Sequence, residues 1–227
     1  MTLVRFARPK DRKLDLIVTG TGRSGTGFAA QWLISIGIPA GHEIFFSHGG
    51  LPAAKRMLAR RYHEVVADCA WEAAPYLNSA PLRDALVIHQ VRHPKKVIES
   101  CMRVPIGRMP TYAFFLERHL PQLRGYIGEL NKTACRWVFW NRMIENAIQE
   151  RRHYFWRIED GTDGLLQWLD KCGMVDAKTI HPAQMYANTR RNQHRGESVE
   201  ARLEDIHPTL IRPLQDMMTR YGYQEWN

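Results

Sequence analysis

Apolar residues along this chain occur either as short unbroken runs or at a helical repeat, and the two kinds of segment alternate. "LDLIVT" at 14–19 is short, apolar and β-branched, which predicts a buried strand. "SGTGFAAQWLISIG" at 24–37 predicts a helix that opens at Ser24 and closes at Gly37. A second helix is expected over 51–63, where Pro52 suits a first turn. "EVVADCA" at 64–70 follows as a short strand and "WEAAPYL" at 71–77 as a helical turn. "DALVIHQV" at 84–91 is the clearest central strand, and it runs into a helix over 92–103 with Pro94 near its start.

Residues 104–112 contain two prolines and a glycine and are expected to be loop. Helices are predicted over 112–119 and 131–150; in the second, Trp137, Trp140, Ile144 and Ile148 share one face. A strand is expected at 153–160, a helix at 162–173, a polar loop at 176–205 and a terminal helix after that. Strands alternating with helices predict an α/β fold, a three-layer sandwich whose central parallel sheet is flanked by helices. With 227 residues, one domain over 14–227 is expected, preceded by a basic arm at 1–13.

Composition narrows the class. Apolar residues make up 44% of the chain, as a globular protein requires. No apolar stretch approaches the roughly 20 residues of a membrane span, and the basic N-terminus lacks a signal peptide's apolar region. A cytoplasmic protein with no membrane span is expected. Cys69, Cys101, Cys135 and Cys172 form no CxxC pair, so free thiols are expected and neither a zinc site nor a redox motif. The net charge of +9 points to an anionic partner. Nucleic acid, a nucleotide, an acidic glycan and a merely soluble surface all fit that charge.

"GTGRSGTGF" at 20–28 joins the first strand to the first helix. A Walker A loop would need lysine where Thr26 stands, and no lysine occurs between Lys13 and Lys55. Gly20, Gly22 and Gly25 match a dinucleotide GxGxxG with Glu43 about 20 residues on, but "SIGIPAGHE" is a poor second strand to carry that acid. A plain tight turn accounts for the glycines, yet not for Arg23, Ser24 and Thr26. At a helix N-terminus these bring N–H groups, hydroxyls and a guanidinium to bear on an anion. The candidate anion set is Gly22, Arg23, Ser24, Gly25, Thr26 and Gly27.

A second segment, "VIHQVRHPKKVIES" at 87–100, sends Arg92 off a strand end and places Ser100 in the helix that follows. With "GTGRSGTGF" about 70 residues earlier, it resembles the PAPS-dependent sulfotransferase family, most closely in pattern its bacterial and carbohydrate members. "YFWRIED" at 154–160 is similar to the family's "RYEDL" segment, and the terminal "RYGY" also fits. The resemblance implies a P-loop-like fold and a 5′-phosphosulfate loop in which Arg23 stands where many members have lysine. It also implies a 3′-phosphate site at Arg92 and Ser100. PAPS carries two separated anions, so two strand-to-helix corners suit it. Arg92 is suited to bidentate phosphate pairing, whereas Ser100, roughly 9 Å along its helix, must meet the phosphate from the side. PAPS is the implied co-substrate and PAP the product.

The implied reaction is in-line sulfuryl transfer to a hydroxyl or amine, with Arg23 stabilising charge on the leaving oxygen. By the family's pattern, Glu43 is the candidate base. His42 beside it is the other, and two neighbours in an extended segment cannot both point the same way. Asp68, Trp71 and Tyr76 are either acceptor contacts or core residues; His89 and His93 read as structural. In the basic loop, Arg190, Arg191 or Arg195 either closes the 3′-phosphate site or is solvated. The acceptor is a small molecule or a glycan, with carbohydrate favoured, and no metal or nucleic acid is expected. The alternatives are a P-loop-type nucleotide kinase and a basic nucleic-acid-binding protein.

Overall fold

The computed structural model describes residues 14–46, 65–80, 82–104, 110–180 and 199–226. The basic arm, the helix expected over 51–63, and Arg190, Arg191 and Arg195 lie outside the described residues.

Five strands, β1 (Leu16–Thr19), β2 (Ala40–His42), β3 (Ala67–Cys69), β4 (Leu86–Val91) and β5 (His153–Arg157), form one parallel sheet. Their order is β2-β3-β1-β4-β5. Alternation along the strands divides the core in two. Ile17, Val87 and Val91 face one apolar cluster, and Leu16, Val18 and Ile88 face another on the opposite side. Helices α1 (Thr26–Ser35) and α5 (Asp163–Lys171) cover the second face through Trp32, Leu33, Leu165 and Leu169. The first is covered by α2 (Pro94–Arg103), α4 (Gly128–Ile148) and α6 (Pro208–Arg220), with α3 (Pro110–His119) joining through Phe115 and Leu116. The fold is a three-layer, P-loop-like α/β sandwich. Trp137, Trp140, Ile144 and Ile148, the face expected of the long helix, are all buried in it.

Local differences from the sequence expectation have simple causes. β2 was not expected because a glycine and a proline crowd it, but three residues at a sheet edge tolerate both. Helix α3 starts at Pro110, inside the stretch expected to be loop, because proline is well placed in a first helical turn. β5 stops at Arg157, and 158–160 fold into a 3-10 turn.

From β1 the chain turns to one side of the sheet, and from β3 it crosses to the other, so β1 and β4 flank a topological switch point. In open α/β sheets the crevice at the carboxyl ends of such strands is where ligands bind. Arg23 follows β1 there and Arg92 follows β4. The two strand ends are in close register, Thr19 opposite His89, and Gly20 lies against β4. A Cβ on Gly20 would overlap the Gln90 carbonyl oxygen and lie 2.8 Å from Ser24 Oγ. Gly20→Ala is therefore expected to cost about 1–3 kcal/mol by overpacking, read as a lower denaturation midpoint with an unchanged m-value.

Candidate functional site

The loop between β1 and α1 is a tight turn in which the Ser24 N–H donates to the Thr21 carbonyl at 3.0 Å. Gly25 is the helix N-cap with φ 105°, and a Cβ there would meet Ile158 Cδ1 at 2.5 Å, so only glycine fits. The helix begins at Thr26 and not at Ser24, whose hydroxyl is buried without a hydrogen-bond partner among the described residues. The first-turn N–H groups at Thr26, Gly27 and Phe28 have no acceptor within the helix, as at any helix start. Gly22 lies against the Trp71 ring, 3.7 Å from a Cβ position. An anion placed at this corner meets backbone donors and the positive end of α1.

Arg23 ties this loop to the second motif. Its backbone is left-handed, φ 72°, and its Nε donates to Ser100 Oγ at 2.9 Å across 77 residues of sequence. Arg92 Nη1 donates to the Arg23 carbonyl at 3.4 Å, and the Arg92 carbonyl accepts from Trp137 Nε1 at 3.0 Å. Burial lowers the pKa of the Arg92 guanidinium, and the nearby charge of Arg23 adds to that, with Glu159 acting in the opposite sense. Glu159 itself caps α2 by accepting from the His93 N–H at 3.0 Å, and it also accepts from Tyr223 Oη at 2.9 Å. Among the described residues neither Arg23 nor Arg92 forms a salt bridge with a carboxylate. The Arg23 charge raises the cost of charging Arg92, which a bound anion would relieve.

Carboxylates gather on the other side of the loop. Residues 40–42 are extended, but Glu43 is left-handed with φ 54°, which breaks the alternation that would separate it from His42. His42 Nε2 and Glu43 Oε1 stand 3.5 Å apart, and the same nitrogen is 3.1 Å from Thr26 Oγ1 at the start of α1. Both base candidates therefore point to one place. Burial lowers the His42 pKa, so its imidazole is neutral at pH 7. Arg23 and Glu43 are the two non-glycine residues with positive φ among those described. Such backbone strain is held only where the surroundings enforce it, and it concentrates at functional sites.

Asp68 enforces it here. Its carboxylate accepts from the Ile44 and Phe45 N–H groups at 3.3 and 3.1 Å, and the Glu43 N–H donates to the Cys69 carbonyl at 3.3 Å. Burial raises the Asp68 pKa to about 6, against the opposing pull of its backbone donors. Glu72, from the 3-10 turn Trp71–Tyr76, is buried, and neither carboxyl oxygen is hydrogen-bonded to another of the described residues. Burial first, then the charges of Glu43 and Asp68, push it up to about 9, against the opposing pull of its own backbone N–H. Glu72 is thus protonated when folded at neutral pH and ionised when unfolded. Proton linkage then makes stability fall as pH rises from 4.5 toward about 9. Between pH 7 and 8, above the titration of Asp68 and below that of the Cys69, Cys135 and Cys172 thiols, wild-type stability should decline. Glu72→Gln should remove most of that slope in denaturant titrations.

The remaining candidates are placed in the framework. His89 is fully buried, bonded to Asn141 at 3.0 Å, and burial holds it down at about 4. His93 Nε2 donates to the Glu225 carbonyl at 2.8 Å and its ring meets Tyr223 edge-on. Trp71 stacks on Tyr112 at 5.8 Å, and Tyr76 on Phe46 at 6.1 Å. Among the described residues, no group of three or more His, Cys, Asp or Glu is placed to hold a metal ion, and no helix is long and apolar enough to cross a membrane.

No protein-family model matches the chain, and no curated protein matches it in sequence. In structure it is similar to a sulfotransferase from Alicyclobacillus acidocaldarius. The TM-score is 0.48 at 12% identity, over 92% of each chain.

Glu72 is a buried acid in this group of carboxyls that sequence reasoning missed. Its one signal is a lone glutamate inside the otherwise apolar "CAWEAAPYL", where an acid on a core-facing turn is out of place.

Proposed function

We propose that this chain transfers the sulfuryl group of PAPS to a hydroxyl of a carbohydrate-type acceptor. The observation that carries this reading is the bond from Arg23 to Ser100, with Arg92 alongside. It joins the two motifs that resemble phosphosulfate and 3′-phosphate sites into one basin rich in positive charge. The glycine loop and the first turn of α1 would take the 5′-phosphosulfate, and Arg92 with Ser100 the 3′-phosphate.

The reacting hydroxyl gives its proton to the Glu43 carboxylate as its oxygen forms a bond to sulfur. The bond from sulfur to the bridging phosphate oxygen breaks, and its electron pair leaves with PAP. Charge grows on that bridging oxygen, where the Arg23 guanidinium and the loop N–H groups act on it electrostatically. Arginine does not lose a proton near neutral pH, so Arg23 is no acid catalyst. Neutral His42 fixes the Glu43 carboxylate to the start of α1 through Thr26 and leaves proton acceptance to Glu43.

Calorimetric titration tests the reading without a guess at the acceptor. PAP should bind at least about tenfold more tightly than ATP with magnesium, a difference of about 1.4 kcal/mol. Binding of magnesium-ATP as tight as that of PAP would favour a kinase and end the sulfuryl-transfer reading.

A further inference from the structure

We propose that Glu72 binds the acceptor, and that with Glu43 it selects a polyhydroxylated one by holding a hydroxyl next to the one that reacts. This rests on the sulfuryl-transfer reading of the same site.

The placement comes from the sheet. β3 ends beside β1, the Ala70 N–H donates to the Val18 carbonyl at 2.9 Å, and the chain turns at once into Trp71 and Glu72. That turn is fixed from behind by Trp140 Nε1, which donates to the Trp71 carbonyl at 3.2 Å. Glu72 is therefore carried on a rigid corner next to the anion loop, whose Gly22 touches the Trp71 ring. It is 1% exposed, and neither of its carboxyl oxygens is hydrogen-bonded to another of the described residues.

A buried carboxyl without partners destabilises a fold, and an apolar side chain of similar shape would be better tolerated. The charges that act on Glu72 come from two elements, Glu43 beyond β2 and Asp68 on β3, while its own backbone N–H pulls the other way; Glu72 in turn acts on Tyr112 of α3. Both charges are carboxylates, and none of these described groups brings a positive charge. In that company Glu72 stays a neutral acid and offers both an O–H donor and a C=O acceptor. Glu43 is an acceptor when ionised. A mono-alcohol needs Glu43 alone, whereas adjacent hydroxyls of a sugar or cyclitol use both carboxyls. Tyr112, stacked on Trp71, adds an aromatic edge of the kind that flanks polar groups in small-molecule sites.

The test is titration of the PAP-saturated protein with methyl glucoside, myo-inositol and cyclohexanol, on wild type, Glu72→Gln and Glu72→Leu. Wild type should bind at least one polyol tenfold or more above cyclohexanol. Glu72→Gln, which keeps a donor and an acceptor, should retain that preference within about threefold. Glu72→Leu should lose it while PAP affinity stays unchanged, and should melt higher than wild type because no buried polar group is left unpaired. Absence of a polyol preference in wild type overturns the inference. So does its survival in Glu72→Leu, or an equal loss in Glu72→Gln. Failure of wild type to bind PAP at all is a different result and removes the sulfuryl-transfer reading itself.

Discussion

Glu43→Gln is expected to lower kcat by about 10²- to 10⁴-fold, the usual contribution of a positioned general base, while PAP affinity changes less than about twofold. In the proposed reaction Glu43 acts on the acceptor hydroxyl and on neither phosphate, so donor binding should be indifferent to it. Glutamine keeps the length and polarity of the side chain and removes only its ability to take a proton. The left-handed backbone at Glu43, φ 54°, and the Asp68 carboxylate that fixes Ile44 and Phe45 remain in place. A fall in KM-corrected rate with retained PAP binding and retained stability would assign the base. His42→Ala should cost far less, because a neutral ring that orients Glu43 is replaceable in part by water. If His42→Ala were the more damaging change, the proton would belong to the imidazole.

Arg23→Gly should separate stability from activity. Relief of a left-handed arginine stabilises the fold, by up to about 1 kcal/mol, offset by loss of the bond to Ser100. Turnover should nevertheless fall by about 10²- to 10³-fold, the cost of losing one preorganised group at a charge that develops in the transition state. An equal loss in Arg23→Lys would mean that the fork geometry toward Ser100 matters as well as the charge. A variant that is both stable and fully active would show that Arg23 is a loop-closing residue only.

Much of this was legible in the sequence for a physical reason. Buried parallel strands such as 86–91 need unbroken apolar runs, and long helices such as 128–148 need a repeating apolar face, so both leave strong local signals. The tight turn between β1 and α1 was legible because its glycines are demanded by close approach, Gly20 to Gln90 and Gly25 to Ile158. β2 was not, since three edge residues paired on one side need no apolar run. Convergence of His42 and Glu43 was hidden because it depends on one backbone angle, which no spacing rule encodes. The sequence places the start of α1 at Ser24, but Gly25 is the N-cap and the serine hydroxyl is buried. Glu72 stands out only through its burial without a hydrogen bond to another described residue, a tertiary property.

The central claim is that Arg23 and Arg92 bring two anion sites into one basin, one of them for a 3′-phosphate. It is tested most directly by comparing PAP with AMP, which lacks that phosphate, on wild type and on Arg92→Ala by calorimetry. Wild type should prefer PAP by about 10- to 100-fold, the worth of a charge-assisted bidentate contact of about 1.5–3 kcal/mol. In Arg92→Ala the two nucleotides should bind within about threefold of one another, with AMP affinity little changed. Equal binding of PAP and AMP by wild type, or a preference that survives in Arg92→Ala, would contradict the account.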